Sequence, residues 1–345
     1  MKVAATYIGT IVGAGFATGQ EVLQFFARFG AGGLAGLVLS AALFILYGYI
    51  IMDLGYRLKA RSHSEIIRYA SGKYLGGFID FIITFFLFGG LTAMIAGTGA
   101  LFQEQFALPG MLGNLSMAVL TALTVLTGIN GVINSISFVV PFLIAAVVGI
   151  SLTAIVRAPP VFTAPPAAGE SGLIGNWLLA AILYASYNTL LAIAVLGPLG
   201  DKAASRRAIR QGASLGGMGL GLGAIMIYLA LLGDATGATV LEVPMIAIAG
   251  SISGLVRVIY AVILSAEVYT TAVSSLFGFA ARVADPEKFP LRGRIIIVGS
   301  TAGAFFASQL GFSNLVKFLY PAVGYGGIIL LIALVYTYFR PQRVV

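Results

Sequence analysis

Apolar residues run along this chain in long stretches separated by short polar, basic or proline-bearing joints. A membrane-spanning helix needs about 20 mostly apolar residues. Ten stretches answer to that pattern, at about 4–29, 31–56, 75–106, 114–130, 132–156, 173–199, 208–233, 246–283, 294–310 and 314–339. The first is interrupted. Gly9, Gly13, Gly15 and Gly19 crowd into it, polar Thr18, Gln20 and Glu21 follow, and Val22, Leu23, Phe25 and Phe26 resume the apolar pattern. Open backbone at membrane depth is tolerated only where it is buried in protein or lines a cavity, which makes this segment the first candidate for function. A second polar island, Leu183-Tyr-Ala-Ser-Tyr-Asn-Thr189, lies inside the sixth stretch.

The widest joint, 157–171, carries Pro159, Pro160, Pro165 and Pro166 and divides five stretches from five. An odd number in each half sets the halves in the membrane with opposite orientation, the inverted-repeat arrangement of many transporters. The expected architecture is therefore an all-α integral membrane protein. It has ten transmembrane helices in a 5+5 inverted repeat, approximately 4–156 and 173–339, within one domain over 1–345. Paired interruptions of helices 1 and 6 point to a site at the midplane. The competing reading is that Ser186, Asn188 and Thr189 only bond neighbouring helices.

Composition narrows the class. Hydrophobic residues are 59% and charged residues 9%, against roughly 25% charged in soluble domains. The absence of Cys removes disulfides, thiolate chemistry and Cys metal sites. No secretory leader is read at the N-terminus, because the first stretch is too long, is broken by glycine and lacks a cleavage pattern.

The net charge of +8 follows topology and does not indicate a nucleic-acid partner. Most Lys and Arg fall in alternate joints: Lys2, then Arg57 to Lys73, Lys202 to Arg210, Arg282 to Arg294, and Arg340 with Arg343. The positive-inside bias then places both termini in the cytoplasm of a bacterial inner membrane, with a secondary attraction to anionic lipid heads. Residues 62–69 read as a short amphipathic cytoplasmic helix capped by Ser62 or Ser64, with His63 solvated. Asp53 and Asp80 read as solvated partners of Arg57 or Lys73. No nucleophile–base constellation appears in the helices, so neither an enzyme nor an organic cofactor is expected.

Gly13-Ala-Gly-Phe-Ala-Thr-Gly-Gln-Glu21, followed at once by a long second helix, resembles the amino acid–polyamine–cation transporter superfamily. More closely it resembles the YkvI-like bacterial membrane proteins. Tyr184-Ala-Ser-Tyr-Asn188 through Gly197-Pro-Leu-Gly200 fits the same pattern, and the likeness covers essentially all ten stretches. It implies the leucine-transporter fold, with broken helices 1 and 6 around a central solute. The chain departs from larger amino-acid transporters, which commonly carry two further helices.

A broken helix 1 offers free N–H groups suited to an anion. By the resemblance, Gly15, Phe16, Ala17, Thr18 and Gly19 would take the carboxylate of a small zwitterion, most simply an amino acid. Ser186, Tyr187 and Asn188 would face its ammonium group. In sodium-coupled members of the fold, helix 1 carbonyls combine with a carbonyl and two hydroxyls of helix 8. The match here is Gly13, Phe16, Glu267, Thr270 and Thr271, an all-oxygen shell suited to Na+; a second register uses Thr271, Ser274 and Ser275. Against both stands the tendency of Ser and Thr hydroxyls to bond their own helix. Proton coupling is the rival, with Glu21 and Glu267 as carriers, because an ionisable group within the membrane is a functional candidate by default.

The expected function is sodium-coupled uptake of the solute by alternating access, helices 1, 2, 6 and 7 rocking against 3, 4, 8 and 9. The contrasting class is a ligand-sensing receptor or channel subunit. Gln103 and Glu104 are candidates for an external gate, Thr92 and Thr98 for the site wall, and the glycine run 212–224 for close helix packing.

Overall fold

The computed structural model describes residues 2–60, 62–127, 139–163, 172–234, 237–284 and 290–340. The start of the fifth stretch, Pro165 and Pro166, and basic Arg61, Lys288 and Arg343 lie outside the described residues. Those described are mostly helical and contain no strand, as befits backbone that lipid cannot hydrogen-bond.

The first stretch comes in three pieces, α1 (Lys2–Ile11), α2 (Ala14–Ala17) and α3 (Gln20–Phe25). There are thus two breaks where one was expected. Gly13 is extended (φ −126°, ψ −173°), whereas Gly19 is left-handed (φ +81°), a conformation that glycine adopts without steric cost. Then follow α4 (Ala31–Leu58), α5 (His63–Phe106), α6 (Gly110–Leu126) and α7 (Val139–Arg157). Gly72 (φ +72°) kinks α5 and sets its amphipathic first turns apart from the span. Ser62 stands at the N-cap but caps no backbone group. Its hydroxyl bonds the Ser64 hydroxyl (2.8 Å) and the Glu65 carboxylate (3.3 Å) instead.

The remainder is α8 (Trp177–Asp201), α9 (Arg206–Leu232), α10 (Pro244–Ile252), α11 (Gly254–Val283), α12 (Pro290–Ala307) and α13 (Tyr320–Phe339). Among the described residues, 6 helical segments are long and apolar enough to cross a membrane, and Gly110–Leu126 and Pro141–Arg157 are shorter apolar helices.

Two expectations are corrected. Helix 6 is not broken: α8 runs without interruption from Trp177 to Asp201. Its polar island bonds inward, Asn188 Nδ2 to the Tyr184 carbonyl (2.9 Å) and Thr189 Oγ1 to the Ala185 carbonyl (2.6 Å). Such i−4 bonds satisfy the side chains without opening the helix. The eighth stretch, read as one span, is the two helices α10 and α11. Ser253 accepts the Val256 N–H (3.1 Å) at the start of α11, and Pro244 opens α10.

Central α8 packs against α4 and α13, and α4 also packs against α9; α5 packs against α11, α6 and α13. Glycine permits the closest crossing. A Cβ on Gly55 would strike the Gly197 carbonyl, and one on Gly200 the Met52 carbonyl, so α4 and α8 touch backbone to backbone. The glycine run of α9 does the same work, setting Gly216 against Tyr7 and Gly217 against Ile45.

Candidate functional site

Every residue from Ala14 to Ala27 is buried, including Thr18, Gln20, Glu21 and Gln24. The main chain here is held by two neighbouring helices. Its Ala17 carbonyl accepts the Tyr260 hydroxyl of α11, and its Thr18 carbonyl accepts the Met245 N–H of α10 (3.0 Å). The Thr18 hydroxyl turns back to the Gly15 carbonyl (2.8 Å), and Gln20 Nε2 donates to Ser313 Oγ (2.7 Å). The Phe16 carbonyl takes the Gly19 N–H (3.1 Å) and the Gly13 carbonyl the Ala17 N–H (3.0 Å).

Glu21 reaches back from α3 across the second break. Its Oε1 stands over Gly15, in the space that a Cβ there would need, and its Oε2 accepts the Tyr187 hydroxyl at 2.5 Å. Around it the rings of Phe25, Phe86, Tyr184, Tyr187 and Tyr320 pack with centroids 5.2–5.8 Å apart, within the range favoured by aromatic pairs. The expected anion position above Gly15 is therefore taken by a carboxylate of the chain itself. Tyr187 joins this group directly. Ser186 and Asn188 do not, because Ser186 Oγ bonds the Gly324 carbonyl of α13 (2.7 Å) and Asn188 its own helix.

On the other side of α2, a Cβ on Gly13 would lie 3.7 Å from Thr271 Oγ1, which places α11 beside the first break. The Thr270 hydroxyl bonds the Glu267 carbonyl (3.0 Å), and Ser274 bonds the Thr271 carbonyl (3.0 Å). These hydroxyls thus serve their own helix in this arrangement. Four buried polar atoms on these elements have no hydrogen-bond partner among the described residues: the acceptors Gln20 Oε1, Gln24 Oε1 and Glu267 Oε2, and the Tyr184 hydroxyl, which can donate or accept. Buried polar atoms are ordinarily paired, and three of these four are acceptors only.

Buried polar groups stand at both ends of the bundle, and several depart from their sequence reading. At one end α10 covers Gly19, whose Cβ would lie 2.9 Å from Met245 Cγ. Glu104 Oε1 and Oε2 hold the N–H groups of Glu242 (2.7 Å) and Val243 (3.1 Å) at its start. Glu242 in turn accepts the Phe312 N–H (3.1 Å), and burial pushes its carboxyl above the ordinary carboxylate range. Pro244, which opens α10, and Ser253, which caps α11, were the available signals for the division.

At the basic end Asp53 is fully buried, not solvated. It accepts the Tyr338 hydroxyl (2.9 Å) and forms ion pairs with Arg57 Nη2 (2.5 Å) and Arg206 Nε (3.1 Å). Asp80 pairs with Arg282 rather than Lys73, and the His63 ring lies against Arg282 (2.5 Å) instead of in solvent. Thr92 and Thr98 are buried on α5, bonded to their own helix.

A divided first segment, wedged between long helices of an all-helical bundle, defines an integral membrane protein of the leucine-transporter fold. Solved structures agree. MhsT in complex with L-phenylalanine superposes with a TM-score of 0.66 at 16% identity, over 96% of this chain and 87% of MhsT. A variant of the Eremococcus coleocola manganese transporter gives 0.60 at 16% identity, over 97% and 77%. MHP1, a nucleobase-cation-symport-1 family transporter in a closed conformation with bromovinylhydantoin, gives 0.56 at 12%, over 99% and 78%.

In sequence, the chain is 32% identical to the uncharacterized membrane protein YkvI of Bacillus subtilis (strain 168), over 94% of this chain and 92% of YkvI. It is 27% identical to YyaD of the same organism, over 97% and 95%. The chain belongs to the YkvI family of membrane proteins. No protein-family model matches it.

Proposed function

We propose that the protein is a secondary active transporter that moves a small amino acid-like solute by alternating access, with the divided first segment as its binding wall. It would sit in the bacterial inner membrane with both termini cytoplasmic, its ten spans forming the 5+5 inverted repeat of the amino acid–polyamine–cation transporter superfamily. The observation that carries this reading is the pairing of Glu21 with the break. A buried carboxylate stands over Gly15, held by Tyr187, with no ion-pair partner among the described residues. Charge at membrane depth is costly and kept for function.

The unmet acceptors around it favour a donor-rich partner, so the solute's ammonium group would face Glu21 and the Tyr184 hydroxyl. This reverses the expected docking of its carboxylate at Gly15–Gly19. The L-phenylalanine and bromovinylhydantoin bound by two structural neighbours support a small organic solute.

For coupling, sodium held by the Gly13 and Phe16 carbonyls, the Glu267 carbonyl, Thr270 and Thr271 is the first reading. It requires the Thr270 hydroxyl to turn from its own helix. Proton coupling through Glu21 or Glu267 is favoured by the unpartnered Glu267 Oε2. Uptake into liposomes under an imposed sodium or proton gradient, across a panel of amino acids and amines, separates the two. Concentrative uptake is expected. Glu21→Gln should reduce it by roughly 10–100-fold, the scale of a lost charged hydrogen bond. Thr271→Ala should weaken sodium dependence while leaving the folded yield unchanged. Binding without flux under either gradient would sink the transporter reading in favour of a receptor.

A further inference from the structure

At the basic end of the molecule, a cavity of about 330 Å³ opens between the amphipathic first turns of α5 and the start of its span. Ser64, Arg68, Lys73, Gly77 and Asp80 line it. Arg68 and Lys73 are exposed, and neither has an ion-pair partner among the described residues. The one carboxylate, Asp80, is already engaged by Arg282, with His63 Nε2 3.5 Å away. Among the described residues the pocket therefore presents two cations with no ion-pair partner, beside a Ser64 hydroxyl that bonds Ser62.

Beside it, about 100° round the same helix, runs an exposed aromatic stripe. Tyr74 (91% exposed), Phe78 (49%), Phe81 (66%) and Phe85 (50%) follow one another at helical spacing along α5. They lie one position round the helix from pocket residues Lys73, Gly77 and Asp80. A basic pocket with an apolar track leading away from it matches a headgroup and its acyl chains in shape and chemistry. Basic pockets on the cytoplasmic side are where anionic headgroups bind, and the Lys and Arg bias assigns this end to the cytoplasm.

We propose that this cavity is a binding site for the phosphate headgroup of an anionic phospholipid, with Arg68 and Lys73 as phosphate ligands and the Tyr74–Phe78–Phe81–Phe85 stripe as the acyl track. The Gly72 kink creates it by swinging the first turns of α5 away from the span. Because Asp80 and Arg282 join α5 to α11 beside the pocket, a bound lipid would brace that joint.

The test titrates phosphatidylglycerol, phosphatidylcholine and inorganic phosphate onto the full chain in uncharged detergent, read by native mass spectrometry and by the thermal unfolding midpoint. Phosphatidylglycerol is expected to bind one per chain and to raise the midpoint. Arg68→Gln/Lys73→Gln should weaken it by about 30-fold, equivalent to ~2 kcal/mol at about 1 per basic residue. Gly77→Leu, at an exposed position where a Cβ meets nothing within 4 Å, should weaken it by filling the cavity with both charges kept. Arg207→Gln/Arg294→Gln, which removes the same charge from exposed positions elsewhere, should leave binding intact. Equal loss in both double variants would show bulk attraction and overturn the site. A matching shift from inorganic phosphate would overturn the lipid as its occupant, and so would one from phosphatidylcholine.

Discussion

At Gly15 the difference between a hydrogen and a methyl group decides where Glu21 stands. A Cβ there would overlap Oε1 and the carboxyl carbon, 2.8 Å away. Gly15→Ala should therefore push the carboxylate off Tyr187. The expected cost is about 1–3 kcal/mol of stability from overpacking, with a fall in uptake of roughly 10–100-fold from the lost contact. Tyr187→Phe removes the same hydrogen bond with no crowding, so it should lower uptake similarly while costing the stability of one buried bond. Wild-type uptake in both variants, measured in liposomes beside unfolding midpoints in detergent, would remove Glu21 from the site. Glu21 and the glycines were legible in the sequence because both violate the pattern of a spanning helix. Their relation was not. Which acceptor Tyr187 meets, 166 residues from Glu21, is settled by packing between α3 and α8.

The elements show where residue type misleads. A polar island in α8 looks like a break, yet Asn188 and Thr189 satisfy themselves on the preceding turn and the helix continues. In the first segment glycine removes the side chains that brace a helix, so opposite outcomes follow from Gly and from Asn at similar depth. Asp53 was misread for a related reason. One turn from Arg57 at a helix end it resembles a surface pair, but the turn before α9 brings Arg206 and α13 brings Tyr338 over it. Removing one partner of a buried ionic group is costly, roughly 3–5 kcal/mol, whereas an exposed pair is worth about 0–1 kcal/mol. Asp53→Ala should accordingly lower the unfolding midpoint far more than Asp80→Ala, whose side chain is 47% exposed. Equal midpoints in detergent would mean that the Asp53 cluster does not hold α4, α9 and α13 together.

For the whole molecule, the contacts sort the helices into two groups. Helices α1, α4, α8 and α9 form one group and α5, α6, α11 and α12 another, while α13 (through α8 and α5) and α7 (through α9 and α11) touch both. The backbone-to-backbone contact of α4 with α8 makes the first group stiff, so motion between the groups is cheaper than motion within either. The divided first segment lies on that boundary, tied across it by Gln20 to Ser313, Thr18 to Met245 and Ala17 to Tyr260. Rocking one group against the other must break some of these ties, and the Gln20–Ser313 bond is a single side-chain contact. The chain has no cysteine, so Gln20→Cys/Ser313→Cys can be bridged by a short bis-thiosulfonate reagent without side reactions. Bridged protein should bind solute but lose uptake in liposomes, and reduction of the bridge should restore it, because closure is locked while the site remains formed. Full uptake with the bridge verified intact would place the moving boundary elsewhere, leaving the first segment a fixed wall against which another helix slides.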